Sequence, residues 1–126
     1  MFLLALAVNA QVRETVSDFE ENGLYYKITS RTAPYTVAVA SSLPKRYSGA
    51  VTIPETVTNN GITYKVTAIS KAAFWCCREL TSVTIPNTVV VIKESAFLQC
   101  AGLTSLSIPN SVKVIEKESL FRLYRT

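Results

Sequence analysis

The sequence predicts an α/β solenoid, in which short coils of chain stack and each coil adds one strand to a parallel sheet. The segments that begin at Leu80 and Leu103 are similar, an offset of 23 residues. Proline follows the same apolar pattern three times, at Pro54, Pro86 and Pro109. A coil this short buries too few apolar side chains to fold alone, so neighbouring coils must stack.

The chain begins with an apolar run over residues 2–8, and small side chains follow at Val8-Asn9-Ala10. This pattern predicts a signal peptide over residues 1–10, cleaved before Gln11. The run is too short to span a bilayer, so we expect no membrane insertion of the mature protein. The alternative is an apolar strand that enters the next element.

Residues 11–47 are predicted to form an antiparallel β cap at the N-terminal end of the stack. Apolar residues alternate over 24–28 and again over 35–39, and Pro34 lies between them. Such alternation around a turn is typical of a β-hairpin. Residues 44–46 are expected to connect this hairpin to the first coil. No matching polar cap is visible at the other end.

The solenoid is predicted to occupy residues 48–126, as about two and a half coils over 48–79, 80–102 and 103–126. Ile69 is twelve positions after Val57, whereas the equivalent Ile92 is three positions after Val89, so the first coil carries a nine-residue insertion. The insertion contains the turn Asn59-Asn60-Gly61 followed by an alternating run, which predicts an added hairpin strand.

Each coil is expected to contain a strand and a returning segment. The strand, such as residues 80–85, ends where proline removes a backbone N–H. In the second half, over residues 89–100, apolar residues recur at spacings of three and four. This spacing suits a turn of helix or an irregular convex segment.

The coil pattern Leu-Thr-Ser-x-x-Ile-Pro-Asn-x-Val-x-x-Ile-x-x-x-Ala-Phe-x-x-Cys resembles the BspA-type leucine-rich repeat, which occurs in surface proteins of Bacteroidetes and some mucosal parasites. The match is close over residues 80–115 and includes the insertion over 51–79. The resemblance implies a leucine-rich-repeat-like parallel sheet in a curved, secreted or cell-surface protein that acts in adhesion. The sequence departs from the pattern over 119–123, where Ser-Leu-Phe-Arg-Leu replaces Ala-Phe-x-x-Cys.

The three cysteines occupy defined positions of the repeat. Cys77 and Cys100 occupy the same coil position, which in a stack brings their Cα atoms within reach of a disulfide. Leu123 fills that position in the last coil, which favours buried, reduced thiols acting as small apolar side chains; a disulfide is the alternative in an exported protein. Cys76 aligns with the polar Gln99, so we expect it to point outward as the more reactive thiol.

Composition and motifs argue against an enzyme or a nucleic-acid-binding protein. The 126 residues are 48% hydrophobic and 17% charged, which predicts one globular unit, and the net charge of +4 contains no run of Lys or Arg. Without histidine there is no His-based triad or metal site, and no cofactor motif is present. Glu116 and Glu118 are expected to be surface charges rather than a catalytic pair.

The predicted binding surface is the concave strand face. Its outward residues are small hydroxyl side chains: Thr52, Ser82, Thr84, Ser105 and Ser107. They suit hydrogen bonding to a protein or glycan on a host or neighbouring cell, which would be the partner of a recognition or adhesion module. No aromatic or arginine residue accompanies them in the repeat, so a purely structural role as solvent-facing strand residues is favoured. Trp75 is expected to pack in the core or on the convex side.

A second hypothesis is a structural or assembly unit, or a truncated fragment of a longer repeat protein. An uncapped last coil, over residues 108–123, leaves an open sheet edge that another chain could pair with. Association that is lost when Leu106 or Ile108 is replaced by lysine would support this self-association.

Overall fold

The computed structural model describes residues 17–120, and the predicted signal peptide and Leu123 lie outside this range. The described residues form strands and turns and contain no helix. The strands are β1 Phe19–Glu21, β2 Leu24–Ser30, β3 Thr36–Ala40, β4 Gly49–Thr52, β5 Thr56–Asn59, β6 Ile62–Ile69, β7 Leu80–Thr84, β8 Val91–Ile92 and β9 Val114–Ile115.

The N-terminal hairpin predicted over residues 24–40 is confirmed. Strands β2 and β3 pair antiparallel, with Tyr25 opposite Ala40. Strand β1 adds to the other side of β2 through a turn in which Asn22 and Gly23 have positive φ, 53° and 86°. Asparagine and glycine tolerate this left-handed backbone, which is why the pair makes a tight hairpin turn.

The added hairpin of the first coil is also confirmed, and it is part of a larger sheet. Strands β5 and β6 pair antiparallel around Asn60-Gly61, with Asn59 opposite Ile62. Strand β6 then pairs in parallel with β3 and, near its end, with β8. One strand therefore belongs to the insertion and also joins the cap to the coils.

The coils form two parallel ladders rather than the one predicted. The first is the predicted strand face, where β4 and β7 pair with Val51 opposite Val83. The second ladder continues from β6 through β8 to β9, with Ile92 opposite Ile115. Residues 103–108, predicted to add a third strand to the first ladder, have no strand assignment. Among residues 17–120, this coil has a described neighbour on one side only, so its strand receives less packing than an internal one.

The returning segments are turns, so the helical half of the α/β prediction is not confirmed. Equivalent residues of the coils have left-handed backbone. Ala72, Ser95 and Glu118 form one set, and Cys76 and Gln99 form a second, with φ between 56° and 62°. Left-handed residues end any α-helix. The turns instead form hydrogen bonds from coil to coil. For example, the N–H of residue 74 donates to the carbonyl of residue 96 at 2.8 Å.

The core runs through the stack as columns of equivalent side chains. The rings of Tyr47, Phe74 and Phe97 form one column, with centroids 4.9 and 5.0 Å apart. A second column contains Ile69 and Ile92, which are fully buried. The columns explain the 23-residue apolar pattern, since equivalent residues lie above one another.

Candidate binding surface

The predicted hydroxyl residues of β4 and β7 lie side by side. Thr52 is opposite Thr84 in the ladder, and Ser82 is opposite Ala50. Thr52, Ser82 and Thr84 are all exposed. These three residues are called the hydroxyl strip below.

The two predicted residues of the last coil relate to the strip differently. Ser105 and Ser107 are exposed, but they lie in the segment without strand structure. Ser107 lines a shallow depression together with Thr84, so the structure brings these two residues together across the coil boundary. Ser105 does not line that depression. The strip therefore extends into the last coil through one serine.

A pocket of about 330 Å³, called the cap pocket, lies where the cap meets the first coil. This volume is at the lower end of the range for ligand pockets, roughly 300–1,000 Å³. Its lining includes Tyr25, Lys45 and Arg46 from the cap and its connection, and Thr52 from β4. Thr52 thus belongs to both the hydroxyl strip and the cap pocket.

The cap and its connection thus bring to Thr52 the aromatic and arginine side chains that the repeat does not supply. Tyr25 and Arg46 were missed because they lie outside the repeats, and only the pairing of cap and coil brings them to Thr52. One sequence signal was available, since Lys45 and Arg46 lie a few residues before β4. A second depression shares Asn22 and Thr52 with the cap pocket and widens this region.

Tyr47 joins the wall of the cap pocket to the core. Its hydroxyl donates to the carbonyl of Ala40 at 2.7 Å and accepts from the N–H of Tyr25 at 3.0 Å. Burial raises the pKa of the Tyr47 hydroxyl, so it stays protonated as a donor at neutral pH. Because these bonds hold the backbone of β2 and β3, Tyr47 fixes the position of Tyr25.

Arg46 is held by Trp75. The guanidinium carbon lies 5.4 Å from the centre of the indole ring, and Nη1 donates to the Trp75 carbonyl at 2.9 Å. Trp75 is 38% exposed, so of its two predicted placements, in the core or on the convex side, the core is excluded. It instead stacks with a cation at the surface, a contact that orders the arginine.

The cysteines are free thiols in the structure, as the favoured interpretation predicted. Cys77 and Cys100 are buried, and Cys100 donates its thiol proton to the Phe74 carbonyl at 2.9 Å. Burial raises the pKa of Cys77, and it raises that of Cys100 to about 12. Cys76 is half-buried, and its Sγ lies 3.3 Å from Oε1 of Gln99, the polar residue with which it aligns.

Nothing in residues 17–120 resembles a metal centre, since these residues contain no cluster of three or more metal-ligating side chains. Glu116 accepts a hydrogen bond from the backbone N–H of Glu94 at 3.2 Å, so one member of the considered carboxylate pair links two coils. Among the described residues, no helix has the length and hydropathy needed to cross a membrane.

The comparison with known families agrees with the coil geometry. A family model described as "BspA type Leucine rich repeat region (6 copies)" matches residues 50–124, which are 75 of the 126 residues. The chain belongs to the BspA-type leucine-rich repeat family. The match covers both ladders, the hydroxyl strip and the last coil. No curated protein matches the chain.

Solved structures of leucine-rich repeat proteins share this fold. A leucine-rich repeat protein from Bacteroides ovatus is 36% identical, with a TM-score of 0.64 over 76% of this chain and 24% of its own. A leucine rich cell surface protein from Faecalibacterium prausnitzii is 27% identical, with a TM-score of 0.64 over 81% and 27%. A leucine-rich repeat protein from Bacteroides capillosus is 28% identical, with a TM-score of 0.62 over 79% and 71%. The chain spans about a quarter of the length of the first two.

The last coil of this family member presents apolar side chains to solvent. Val114 and Ile115 of β9 are 50% and 46% exposed, whereas the equivalent Ile92 is fully buried by the coil that follows it. Strand β9 pairs with β8 on one side, and no other described strand pairs with it. In the part of the chain that is described, the stack therefore ends in an open parallel edge.

Proposed function

We propose that the chain is a recognition or adhesion module that is secreted or held at the cell surface and binds a protein or glycan through its solenoid surface, without catalysis. The observation that carries this proposal is the exposed hydroxyl strip adjoining the cap pocket. Leucine-rich repeat proteins generally act in protein interaction, and the relative from Faecalibacterium prausnitzii is a cell surface protein.

The strip suits recognition because its side chains are held by a rigid ladder. Thr52 and Thr84 are fixed by parallel pairing on one face, while Val51 and Val83 on the other face pack toward the core. Binding to such a surface requires little ordering of the chain, which reduces the entropic cost of association. Each hydroxyl can both donate and accept a hydrogen bond, as a glycan or an extended peptide requires.

A bulky substitution on the strip tests the proposal. We expect Thr84→Arg to reduce adhesion of the purified chain to immobilised matrix proteins and glycans at least tenfold, because the new side chain covers the strip. The control is Thr32→Arg, an exposed position in the loop at the far end of the β2–β3 hairpin. Equal binding by both variants would contradict a role for the strip.

The location of the protein is tested separately. Intact cells of the source organism are treated with protease, and the peptides of this chain are followed by mass spectrometry. Release from intact cells supports a surface protein. Retention of the chain inside the cells, with residues 1–10 still attached, contradicts export.

A second candidate function is self-association through the last coil. It is favoured by the exposed Val114 and Ile115 on the open edge, since an unpaired strand with apolar side chains can pair with another chain. Under this hypothesis the chain is a dimer or larger in sedimentation experiments, and Ile108→Lys or Ile115→Lys makes it monomeric. A wild-type chain that is monomeric at high concentration would contradict it.

A further inference from the structure

We infer that the cap pocket binds an acidic saccharide, with the carboxylate against Lys45 and Arg46 and the sugar ring against Tyr25. The inference rests on the proposed function, since it names a ligand class for the same surface. It depends on three features of the pocket: its charge, its aromatic side chain and its hydroxyl lining.

The charge of the pocket favours an anion. Lys45 and Arg46 both line it, and neither has a carboxylate partner among residues 17–120. The one acidic side chain in the lining, Glu20, accepts a hydrogen bond from the N–H of Gly23 at 3.0 Å and is thereby tied to the β1–β2 turn. A carboxylate ligand would supply the partner that both cations lack.

The two cations are presented differently. Arg46 is ordered by Trp75, whose ring stacks on the guanidinium and whose carbonyl accepts a hydrogen bond from Nη1. The remaining N–H groups of the guanidinium are therefore held in position. An ordered arginine can bind a carboxylate with two parallel hydrogen bonds at little cost in side-chain entropy. Lys45 is exposed and adds a second positive charge. The pair therefore combines a directional donor with long-range attraction.

The remaining lining favours a sugar over a peptide. Tyr25 is half-buried beside Tyr47, with ring centroids 6.5 Å apart, which leaves part of its ring available to the apolar face of a pyranose. Ser48, Thr52 and the amide of Asn22 also line the pocket and can bond to sugar hydroxyls. The pocket lacks the deep apolar character needed to anchor a large peptide side chain.

The test is direct binding of matched saccharides to the full chain, measured by titration calorimetry. Sialyllactose and trigalacturonate are compared with lactose and maltotriose, which lack the carboxylate. We expect the acidic probes to bind and the neutral ones to bind at least fivefold more weakly. Lys45→Ala should weaken acidic binding about fivefold or more, because it removes one charged contact. Lys117→Ala, the same charge change in the last coil, is the control.

A second variant separates the ring from the charge. Tyr25→Phe keeps the aromatic face and should bind as the wild type, whereas Tyr25→Ser should lose most binding; thermal unfolding of each verifies the fold. Equal binding of acidic and neutral probes, or no effect of Lys45→Ala, overturns the inference. If no saccharide binds but a matrix protein does, and Thr84→Arg abolishes that binding, the inference fails while the proposed function stands.

Discussion

The stacked rings of Tyr47, Phe74 and Phe97 allow the packing between coils to be tested with one substitution, Phe97→Ala. Phe97 is fully buried, and its ring lies 5.0 Å from that of Phe74 at an angle of 3°. Removing it uncovers one face of Phe74 and leaves a cavity between two coils. Large-to-small replacements of a buried Phe cost about 3–5 kcal/mol of unfolding free energy, of which the aromatic pair accounts for roughly 0.5–1.5.

The assay is equilibrium unfolding in urea. With a denaturant slope of about 1–3 kcal/mol per M, this loss lowers the unfolding midpoint by more than about 1 M. Phe97→Leu keeps most of the volume, so it should cost much less. Val90→Ala, at a position 45% exposed, should change the free energy by less than about 0.5 kcal/mol. If Phe97→Ala and Val90→Ala unfold at the same midpoint, the ring column does not hold the coils together.

Three further predictions concern the thiols and one glycine. A thiol reagent should modify Cys76 first, because it is less buried than the other two cysteines, and Cys76→Ser should remove the fast phase; an unchanged fast phase would refute this. The folded-state pKa of Cys100, about 12, lies above its unfolded value near 9. The stability that the buried thiol contributes is therefore present below about pH 9 and is lost as the pH rises toward 12. The free energy of unfolding should fall by about 1.4 kcal/mol per pH unit in this range. Alkaline urea titrations should therefore show a shallower pH dependence in Cys100→Ala, and equal slopes would exclude this linkage. Gly102→Ala should destabilise the fold by more than about 1 kcal/mol, because the Cβ of the new alanine would lie 2.6 Å from the Arg78 carbonyl oxygen. Ala101→Ser, at an exposed neighbour, is the thermal-unfolding control, and equal melting temperatures would contradict the close approach.

Much of the fold could be predicted from the sequence because its signals are local. The Asn60-Gly61 turn specifies one hairpin, and the 23-residue repeat specifies which strands lie side by side. The returning segments could not be predicted. Spacings of three and four residues suit a helix, while the left-handed backbone at Ala72, Ser95 and Glu118 occurs at residue types that give no such signal.

The candidate site was only partly predictable for a different reason. The hydroxyl strip follows from alternation within β4 and β7, so Thr52 and Thr84 could be placed on one face. The cap pocket depends on contacts between segments far apart in sequence, such as the bond from the Tyr25 N–H to the Tyr47 hydroxyl, 22 residues away. Periodicity carries no information about such contacts.

The left-handed backbone positions of the turns bear on how a protein of this kind changes in evolution. Ser95 and Gln99 repeat the backbone of Ala72 and Cys76 one coil earlier, and the hydrogen bonds between turns recur at a constant offset of 22 residues, as from the N–H of residue 74 to the carbonyl of residue 96. A tandem duplication of one whole coil at the genetic level would place every new residue in an environment that already exists. A duplication longer or shorter by one residue would turn apolar side chains out of their columns. Selection can therefore lengthen this architecture in whole coils, each extending the stack by about 4.8 Å, without redesigning its core.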